Sequence, residues 1–236
     1  MKEKLAITSV SLIRNSEERE VVLATLTELN KFNLPIIIVD GGSSRTDKKR
    51  ISSFSNVKLL EVNKGLTHQL ILSHRKAAKQ ADFLFYLHTD KLSFVKNNCQ
   101  KIIEYYDQFK NKGMLIPVRS EESLNTYPFF QRKQEEFLNF FMSDYIGTVS
   151  DYYAGPKIYP AKLVNYLDQL KGDIGWGIEA YFYVIAKRLH FPFNFIDCQM
   201  VAPKEIESEE KAKLYRLQIT SWQIDGFLQG LKVEFS

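Results

Sequence analysis

The chain has 236 residues, 44% of them hydrophobic, so it can bury one full core, and we expect a single elaborated domain. The 32 basic and 28 acidic side chains leave a net charge of +4 that is spread along the chain. This distribution argues against a nucleic-acid partner. No segment approaches about 18 uninterrupted apolar residues, so we expect no transmembrane segment.

The N-terminus and the cysteines point to the cytoplasm. Residues 1–10 lack the apolar stretch and the small-residue cleavage site of a signal peptide. Cys99 and Cys198 lie far apart, without the spacing of a zinc site or a disulfide framework. We interpret them as buried free thiols.

The first half of the chain alternates strands with helices. Predicted strands cover residues 4–13, 34–40, 57–62 and 82–87, and predicted helices cover 17–30, 46–54 and 65–80. Asn15, with Glu18 three residues later, is typical of a helix cap. The β-branched segment 34–40 is expected at the centre of the sheet.

The second half is less regular. It predicts helices at residues 94–110, 133–142, 161–170 and 206–229, a glycine-rich start to a helix within 172–189, and strands at 114–118, 151–159 and 191–201. The aromatic-rich stretch 127–153 is mostly core in our interpretation, with an acceptor lid or a dimer surface as alternatives. Exposed aromatic residues there would favour a homodimer.

The alternation predicts an α/β fold with a Rossmann-like, mostly parallel central sheet and helices on both faces. In such sheets, ligands bind beyond the carboxyl ends of the strands. Asp40 ends a buried strand and precedes two glycines, so it could accept a hydrogen bond from a nucleotide base or simply cap the next turn. Lys64 and Gly65 form a turn before a helix, which suits a phosphate but equally fits a solvated turn.

His88 and Asp90 lie two positions apart after an apolar strand, so both side chains point to one side and can meet one cation. Such an ion would bridge the phosphates of a nucleotide diphosphate, and imidazole suits manganese better than magnesium. The alternative is a hydrogen-bonded histidine and a capping aspartate.

Residues 172–179 interleave three glycines with Asp173, Trp176 and Glu179 ahead of an apolar helix. Bare backbone near two acids permits the close approach of a polar substrate, and Trp176 offers an apolar face to a sugar ring. A purely structural loop with a cap at Asp173 is the alternative.

Taken in order, these elements resemble glycosyltransferases of the GT-A fold, especially family-2-like enzymes and the related retaining synthases of glucosyl- and mannosyl-glycerates. Arg14-Asn15-Ser16-Glu17 resembles the Asn-x-Glu motif that ends the first strand, and residues 38–44 are similar to the Val-Asp-Asp-Gly-Ser run. The resemblance covers about residues 4–203. It implies that Arg14, Asn15, Glu17 and Asp40 line the nucleotide pocket.

The resemblance also assigns the phosphate and metal positions. Lys64-Gly65 resembles the turn near the diphosphate, and His88-Thr89-Asp90 stands where the family carries Asp-x-Asp. Asp90 would hold a divalent metal, Mn2+ or Mg2+. His88 replaces the first aspartate, which in the family contacts ribose or metal, and so would contact nucleotide or metal. A third ligand, a histidine in the family, is missing near residues 201–210, where Glu205 or Glu207 could substitute.

For the second half, Ala154-Gly155-Pro156 resembles the loop at which donor sugar meets acceptor. Gly175-Trp176-Gly177-Ile178-Glu179 resembles the Gly-x-Gly-x-Glu start of the acceptor helix. Gly155, Trp176 and Gly177 would contact the acceptor or donor sugar. The resemblance implies two catalytic acids, Glu179 binding hydroxyls and Asp173 acting as the base if the enzyme inverts.

The expected function is transfer of a sugar from a UDP- or GDP-sugar to an unknown hydroxyl acceptor, with residues 1–118 as the nucleotide-sugar half and 119–236 as the acceptor half. Two alternatives stay open. One is a catalytically degenerate protein that binds a nucleotide or glycan, favoured by His88 and the missing third ligand. The other is a nucleotidyltransferase, although residues 8–15 lack the glycine of its signature.

Overall fold

A single seven-stranded sheet organises the protein, for which a computed structural model describes residues 3–108, 112–202 and 209–235. The strands lie in the order β3-β2-β1-β4-β6-β5-β7. Only β6 runs against its neighbours, so the sheet is mostly parallel, as expected. The strands are β1 (Leu5–Ser11), β2 (Ile36–Asp40), β3 (Val57–Glu61), β4 (Phe83–Tyr86), β5 (Met114–Arg119), β6 (Lys157–Pro160) and β7 (Phe193–Cys198).

Eight α-helices accompany the sheet in the described part of the chain, and two 3-10 helices cover Ala161–Gln169 and Gly175–Gly177. The α-helices are α1 (Ser16–Asn30), α2 (Arg45–Ile51), α3 (Leu66–Ala78), α4 (Leu92–Gln108), α5 (Glu121–Asn125), α6 (Phe129–Ile146), α7 (Ile178–Arg188) and α8 (Glu209–Leu231).

Alternate residues of the central strands enter two separate hydrophobic cores. Ile36 and Ile38 of β2 pack with α1, α2 and α4, whereas Ile37 belongs to the core formed with α3, α6 and α7. Successive strand residues point to opposite faces, so this division places helices on both faces of the sheet.

The position of β2 corrects one expectation. β2 is second from one edge, and β4 is the central strand, between β1 and β6. Every residue of β2 and of β4 is buried. Helices cover both faces of the sheet, so a strand can be apolar throughout at any position except an exposed edge. An apolar run therefore predicts a strand that is buried on both faces but does not predict its place in the strand order.

Several boundaries also differ from the sequence prediction. Residues 161–169 form a helix, as predicted, and it is of the 3-10 type. Helix α6 is longer than the predicted 133–142, and α5 was not predicted. The predicted strand at 151–159 is confined to β6. The start predicted for the last helix, Ile206, lies outside the described residues, as do Glu205 and Glu207.

The cysteine prediction is confirmed, since Cys99 and Cys198 are both buried and unbridged. Both belong to the core shared with α1 and α4. Of the helices in the described ranges, none is long and apolar enough to cross a membrane.

The aromatic-rich stretch is divided between core and surface. Tyr152 is fully buried, and Tyr145 packs edge-on against Phe227 of α8. Four phenylalanines of α6 are exposed instead, at 48% to 72% of their surface: Phe129, Phe137, Phe140 and Phe141.

Candidate functional site

The first four strands end at a common edge of the sheet, because β1 runs parallel to β2 and β4, and β2 runs parallel to β3. Asp40 stands at the end of β2, the turn at Lys64 follows β3, and His88 and Asp90 follow β4. This is the edge at which ligands bind in open α/β sheets.

A cavity of about 290 Å³ lies at this edge, bounded by the exits of β4 and β5 and by α6, α7 and α8. It brings together five residues proposed from the sequence: His88, Asp90, Gly155, Trp176 and Glu179. The other lining residues are Lys91, Arg119, Tyr127, Gln131, Gln134, Glu135, Leu138, Tyr153, Ala154, Tyr215, Arg216, Ile219 and Gln223.

His88 is held between two aromatic rings. Its Nε2 lies 3.1 Å from the hydroxyl of Tyr86, and its ring centroid lies 4.5 Å from that of Trp176. Burial lowers the pKa of His88 to about 4, against an opposing contribution from Asp90, so the imidazole is neutral at pH 7. A neutral imidazole offers one lone pair, and this lone pair is on Nδ1 in the tautomer whose Nε2–H donates to the Tyr86 hydroxyl.

Asp90 presents its carboxylate to the cavity, with 61% of its side chain exposed. The ammonium of Lys91 lies 3.7 Å from it. Loss of hydration acts to raise the pKa of Asp90, but the positive charge of Lys91 and the neighbouring His88 outweigh this and lower it. Asp90 is therefore ionised at neutral pH, and it is the accessible carboxylate of the predicted pair of metal ligands, His88 and Asp90.

Glu179, in the first turn of α7, forms a buried ion pair with Lys157 of β6. The two charged atoms are 2.6 Å apart, and the side chains are only 8% and 2% exposed. Burial raises the pKa of Glu179, and the ammonium of Lys157 counteracts that rise. The same burial lowers the pKa of Lys157. The cavity therefore contains a buried acid, Glu179, whose ionised form is stabilised by the ammonium of Lys157.

Trp176 forms one wall of the cavity, and α8 holds it in place. Its indole Nε1 donates to the hydroxyl of Tyr215 at 2.7 Å. The glycines on either side, Gly175 and Gly177, lie against α8, where a Cβ on Gly177 would stand 1.9 Å from the backbone oxygen of Trp222. The Gly-Trp-Gly pattern thus permits close packing of α8, which a sequence interpretation based on substrate approach had not anticipated.

Arg119 also lines the cavity and is held by a network of acidic side chains. Its guanidinium binds both carboxylate oxygens of Asp151, at 2.7 and 2.9 Å, and approaches Glu135 at 2.6 Å. It also stacks on Tyr127, 4.6 Å from the ring centroid. Arg216 of α8 adds a longer contact, 3.9 Å, to Glu135. This network joins β5, α6 and α8 around the cavity.

Asp40 is bound to its own turn. One carboxylate oxygen accepts from the backbone N–H of Gly42 and Ser43, at 2.9 and 2.8 Å, and the other accepts from the Ser43 hydroxyl. The same hydroxyl accepts from the N–H of Ile13 at 2.8 Å. Asp40 therefore caps the turn and ties the exit of β2 to that of β1, and its side chain is not among those that line the cavity.

The segment after β1 behaves as a helix start. Asn15 caps α1 by accepting from the N–H of Glu18 at 2.9 Å. Glu18 in turn accepts from the backbone N–H of Arg14 and pairs with its guanidinium, both at 2.7 Å. The predicted cap is confirmed, and Glu17 lies exposed in the first turn of α1.

Asp173 lies at the N-terminus of α3, outside the cavity. Its carboxylate accepts from the hydroxyl of Thr67 and from the N–H of Gly175 at 3.2 Å. Burial acts to raise the pKa of Asp173, but these hydrogen bonds outweigh it and lower it. A Cβ on Gly65 would stand 2.2 Å from Asp173, so the carboxylate occupies the Lys64-Gly65 turn, the place expected for a phosphate.

The sequence analysis missed several polar residues of the cavity, among them Arg119, Gln134, Glu135 and Arg216, and it also missed the buried Lys157 behind Glu179. They come from β5, β6, α6 and α8, and no local motif links them. One signal was available: a lysine or arginine inside an apolar strand requires a buried acidic partner.

No protein-family model matches the chain, and no curated protein matches it in sequence. Solved structures do match it over nearly its whole length. Mannosyl-3-phosphoglycerate synthase from Rubrobacter xylanophilus superposes with a TM-score of 0.71 at 11% identity, covering 99% of this chain and 76% of that one.

Glucosyl-3-phosphoglycerate synthase from Mycobacterium tuberculosis in complex with UDP gives a TM-score of 0.68 at 13% identity, with 99% and 82% of the two chains covered. The same enzyme in complex with Mn2+ and UDP-glucose gives 0.66 at 12% identity, with 99% and 81% covered. At such identities the likeness concerns the fold. The protein has the GT-A fold expected from its sequence.

Proposed function

We propose that the protein is a glycosyltransferase that moves a sugar from a UDP- or GDP-sugar to a hydroxyl acceptor with the help of a divalent metal. One observation carries the proposal. A cavity at the carboxyl edge of a GT-A sheet combines an exposed carboxylate, Asp90, a buried acid, Glu179, and an indole face, Trp176. A structural neighbour of this fold is a glucosyl-3-phosphoglycerate synthase in complex with Mn2+ and UDP-glucose.

The metal fits these residues with Asp90 as the principal protein ligand. Among the described residues, no three histidines, cysteines or acids converge on one point. Ions that bridge phosphates are commonly held by one or two carboxylates together with the phosphates themselves. Asp90 and Nδ1 of His88 would therefore hold Mn2+ or Mg2+ jointly with the donor. The bound ion would neutralise charge on the leaving diphosphate.

We assign the remaining roles by position. Residues 1–118 form the nucleotide-sugar half, with Arg14, Asn15, Glu17, Asp40, Lys64 and Gly65 at the strand exits nearest the nucleotide. Residues 119–236 form the acceptor half, in which Glu179 binds sugar hydroxyls beside Gly155, Trp176 and Gly177. Asp173 would serve as the base only after releasing Thr67 and Gly175. Glu179 already faces the cavity.

Nucleotide binding is the first test. Thermal unfolding would be followed with UDP, GDP, CDP, ADP and dTDP, each with manganese, with magnesium and with a chelator. A ligand that binds the native state at 100 times its Kd adds about 2.7 kcal/mol of stability. We expect a metal-dependent rise in Tm with UDP or GDP. The absence of any shift would refute the proposal.

Turnover is the second test, with Asp90→Ala compared with Asp144→Ala, a matched aspartate on the exposed face of α6. We expect Asp90→Ala to lower kcat/KM for sugar transfer by at least about 100-fold, because it removes charge stabilisation of the leaving group. Asp144→Ala should retain normal activity. Nucleotide binding without transfer or donor hydrolysis would instead support the degenerate, binding-only alternative.

A homodimer is also proposed, and the exposed apolar side chains of α6 and α8 support it. On α8 they repeat at alternating intervals of three and four residues, which is the spacing of a helix-pairing seam: Leu214, Leu217, Ile224, Leu228 and Leu231, with Ser221 completing the pattern. Light scattering would test this, with Leu217→Lys and Phe140→Lys expected to give monomers. A monomeric parent protein would refute it.

We further propose a cytoplasmic location, which the two unbridged cysteines, Cys99 and Cys198, support. Fractionation of cells that express the tagged protein would test it. Recovery from an extracellular or membrane fraction would contradict the proposal.

A further inference from the structure

We infer that the acceptor taken by this cavity is an uncharged polyhydroxyl compound, such as a sugar or polyol, and not a phosphorylated or carboxylated acid. The inference rests on the proposed function. It concerns the α6 end of the cavity, which we define as the part lined by Arg119, Tyr127, Gln131, Gln134, Glu135 and Arg216.

The charges that line the cavity balance each other. Among its described lining residues are three cations and three carboxylates, and each of these cations lies within 4.0 Å of a carboxylate. Arg119 and Arg216 share Glu135, and Lys91 lies beside Asp90. Behind them, Arg119 also binds Asp151, and Glu179 has its own buried cation.

Binding an anionic acceptor in this environment would be costly. Arg119 is 1% exposed and is held by two carboxylates, so an incoming phosphate would have to displace one of them and leave it buried without a partner. Breaking a buried ion pair in this way is strongly unfavourable, because it leaves an uncompensated charge in a site that water does not reach. The looser cations, Lys91 and Arg216, are the ones that the diphosphate of the donor would draw on.

The groups without partners favour hydroxyls instead. Gln134 is 9% exposed and lines the cavity, and its Oε1 has no hydrogen-bond partner in the described part of the protein. Beside it, Gln131 donates to Glu135 at 2.8 Å. A buried amide oxygen without a donor is unfavourable, and a sugar hydroxyl supplies a donor without adding charge.

The walls also suit the apolar face of a sugar ring. Tyr153 and Trp176 line the cavity, and each combines an apolar ring with a polar tip. Sites of this type combine aromatic surface with a few placed hydrogen-bonding groups. Together with balanced charge and a free amide oxygen, they describe a pocket for a neutral ligand that is rich in hydroxyl groups.

The first experiment compares acceptors on the full chain, with UDP-glucose and GDP-mannose as donors and Mn2+ present. The neutral probes are methyl α-D-glucopyranoside, methyl α-D-mannopyranoside and glycerol, and the anionic probes are glycerate and 3-phosphoglycerate. Products would be detected by mass spectrometry, and binding to the nucleotide-loaded protein by saturation-transfer NMR. We expect saturable binding and transfer with at least one neutral probe.

Two results would overturn the inference. One is binding or transfer with the anionic probes alone, and the other is no response to any neutral probe when nucleotide is bound. Failure of the proposed function is recognised separately, because then neither UDP nor GDP would raise the Tm.

The second experiment replaces Gln134 with leucine and uses Gln218→Leu, on the exposed face of α8, as the control. Loss of one hydrogen bond to the acceptor should raise its KM about tenfold. The Kd for UDP or GDP and the Tm should stay close to those of the parent protein. An unchanged KM, or a KM change accompanied by an equal loss of nucleotide affinity, would contradict the assignment of Gln134 to the acceptor.

Discussion

The buried pair of Lys157 and Glu179 makes the stability of the protein depend on pH once it is broken. The charges are 2.6 Å apart in side chains that are 2% and 8% exposed, so water can replace neither partner. Lys157→Met keeps the length of the side chain and removes its charge. Removing one partner of such a pair typically costs about 3–5 kcal/mol, because the remaining charge is left uncompensated.

The sign of the pH dependence follows from Glu179. Burial raises its pKa in the folded protein, and without Lys157 nothing nearby opposes that rise. A carboxyl group whose pKa is higher in the folded than in the unfolded protein stabilises the folded state. This stabilisation is complete below the pKa of the unfolded protein, about 4.5, and is lost as the pH rises through the pKa of the folded protein. The loss in free energy of unfolding caused by Lys157→Met should therefore be small at pH 5 and large at pH 8.

Urea unfolding at pH 5, 6, 7 and 8 measures this directly, and at pH 8 the corresponding fall in Tm should be on the order of 10 °C. The double variant Lys157→Met/Glu179→Gln is the control, because replacing both charges by neutral groups should recover most of the loss. An equal loss in free energy of unfolding at pH 5 and pH 8 would refute the reasoning. A double variant that is no more stable than Lys157→Met would refute it as well.

Three further predictions concern other parts of the structure. Gly177→Ala should lower the free energy of unfolding by about 3 kcal/mol in urea titrations, because its Cβ would meet the rigid backbone of Trp222 at 1.9 Å; a loss below about 1 kcal/mol would contradict this packing. Asn15→Ala should cost about 1 kcal/mol in the same assay through loss of the α1 cap, and no loss would argue against the cap. The ring of Trp176 lies 4.5 Å from that of His88, so a bound nucleotide should alter the fluorescence of Trp176. The fluorescence change should persist in Trp222→Phe and disappear in Trp176→Phe. The reverse pattern would contradict nucleotide binding beside Trp176.

Local signals in the sequence predicted a large part of the fold. The Asn15 cap, the alternation of strands and helices and the polar exits of the strands depend on residues within one or two turns of each other. The position of His88 and Asp90 at the site was predictable because the carboxyl ends of parallel strands share one edge. Trp176 and Glu179 follow the antiparallel β6, so only the resemblance to GT-A enzymes placed them beside that pair.

Features that depend on distant pairing could not be predicted. The antiparallel β6 separates β4 from β5, and its Lys157 reaches Glu179 only through that arrangement. Arg119 and Glu135 are likewise joined only when β5 packs beside α6. Gly177 has a second role that its motif did not predict, because it also makes room for Trp222 of α8, more than 40 positions later in the chain.

The two buried cysteines make the protein convenient for site-specific labelling. Burial raises the pKa of both thiols, to about 11 for Cys198, so neither is a reactive thiolate at neutral pH. A cysteine introduced at the exposed Gln218, outside the proposed dimer seam, would then be the preferred site of reaction with maleimide reagents. A spin label or fluorophore there could follow α8, a wall of the cavity, in the otherwise unaltered protein.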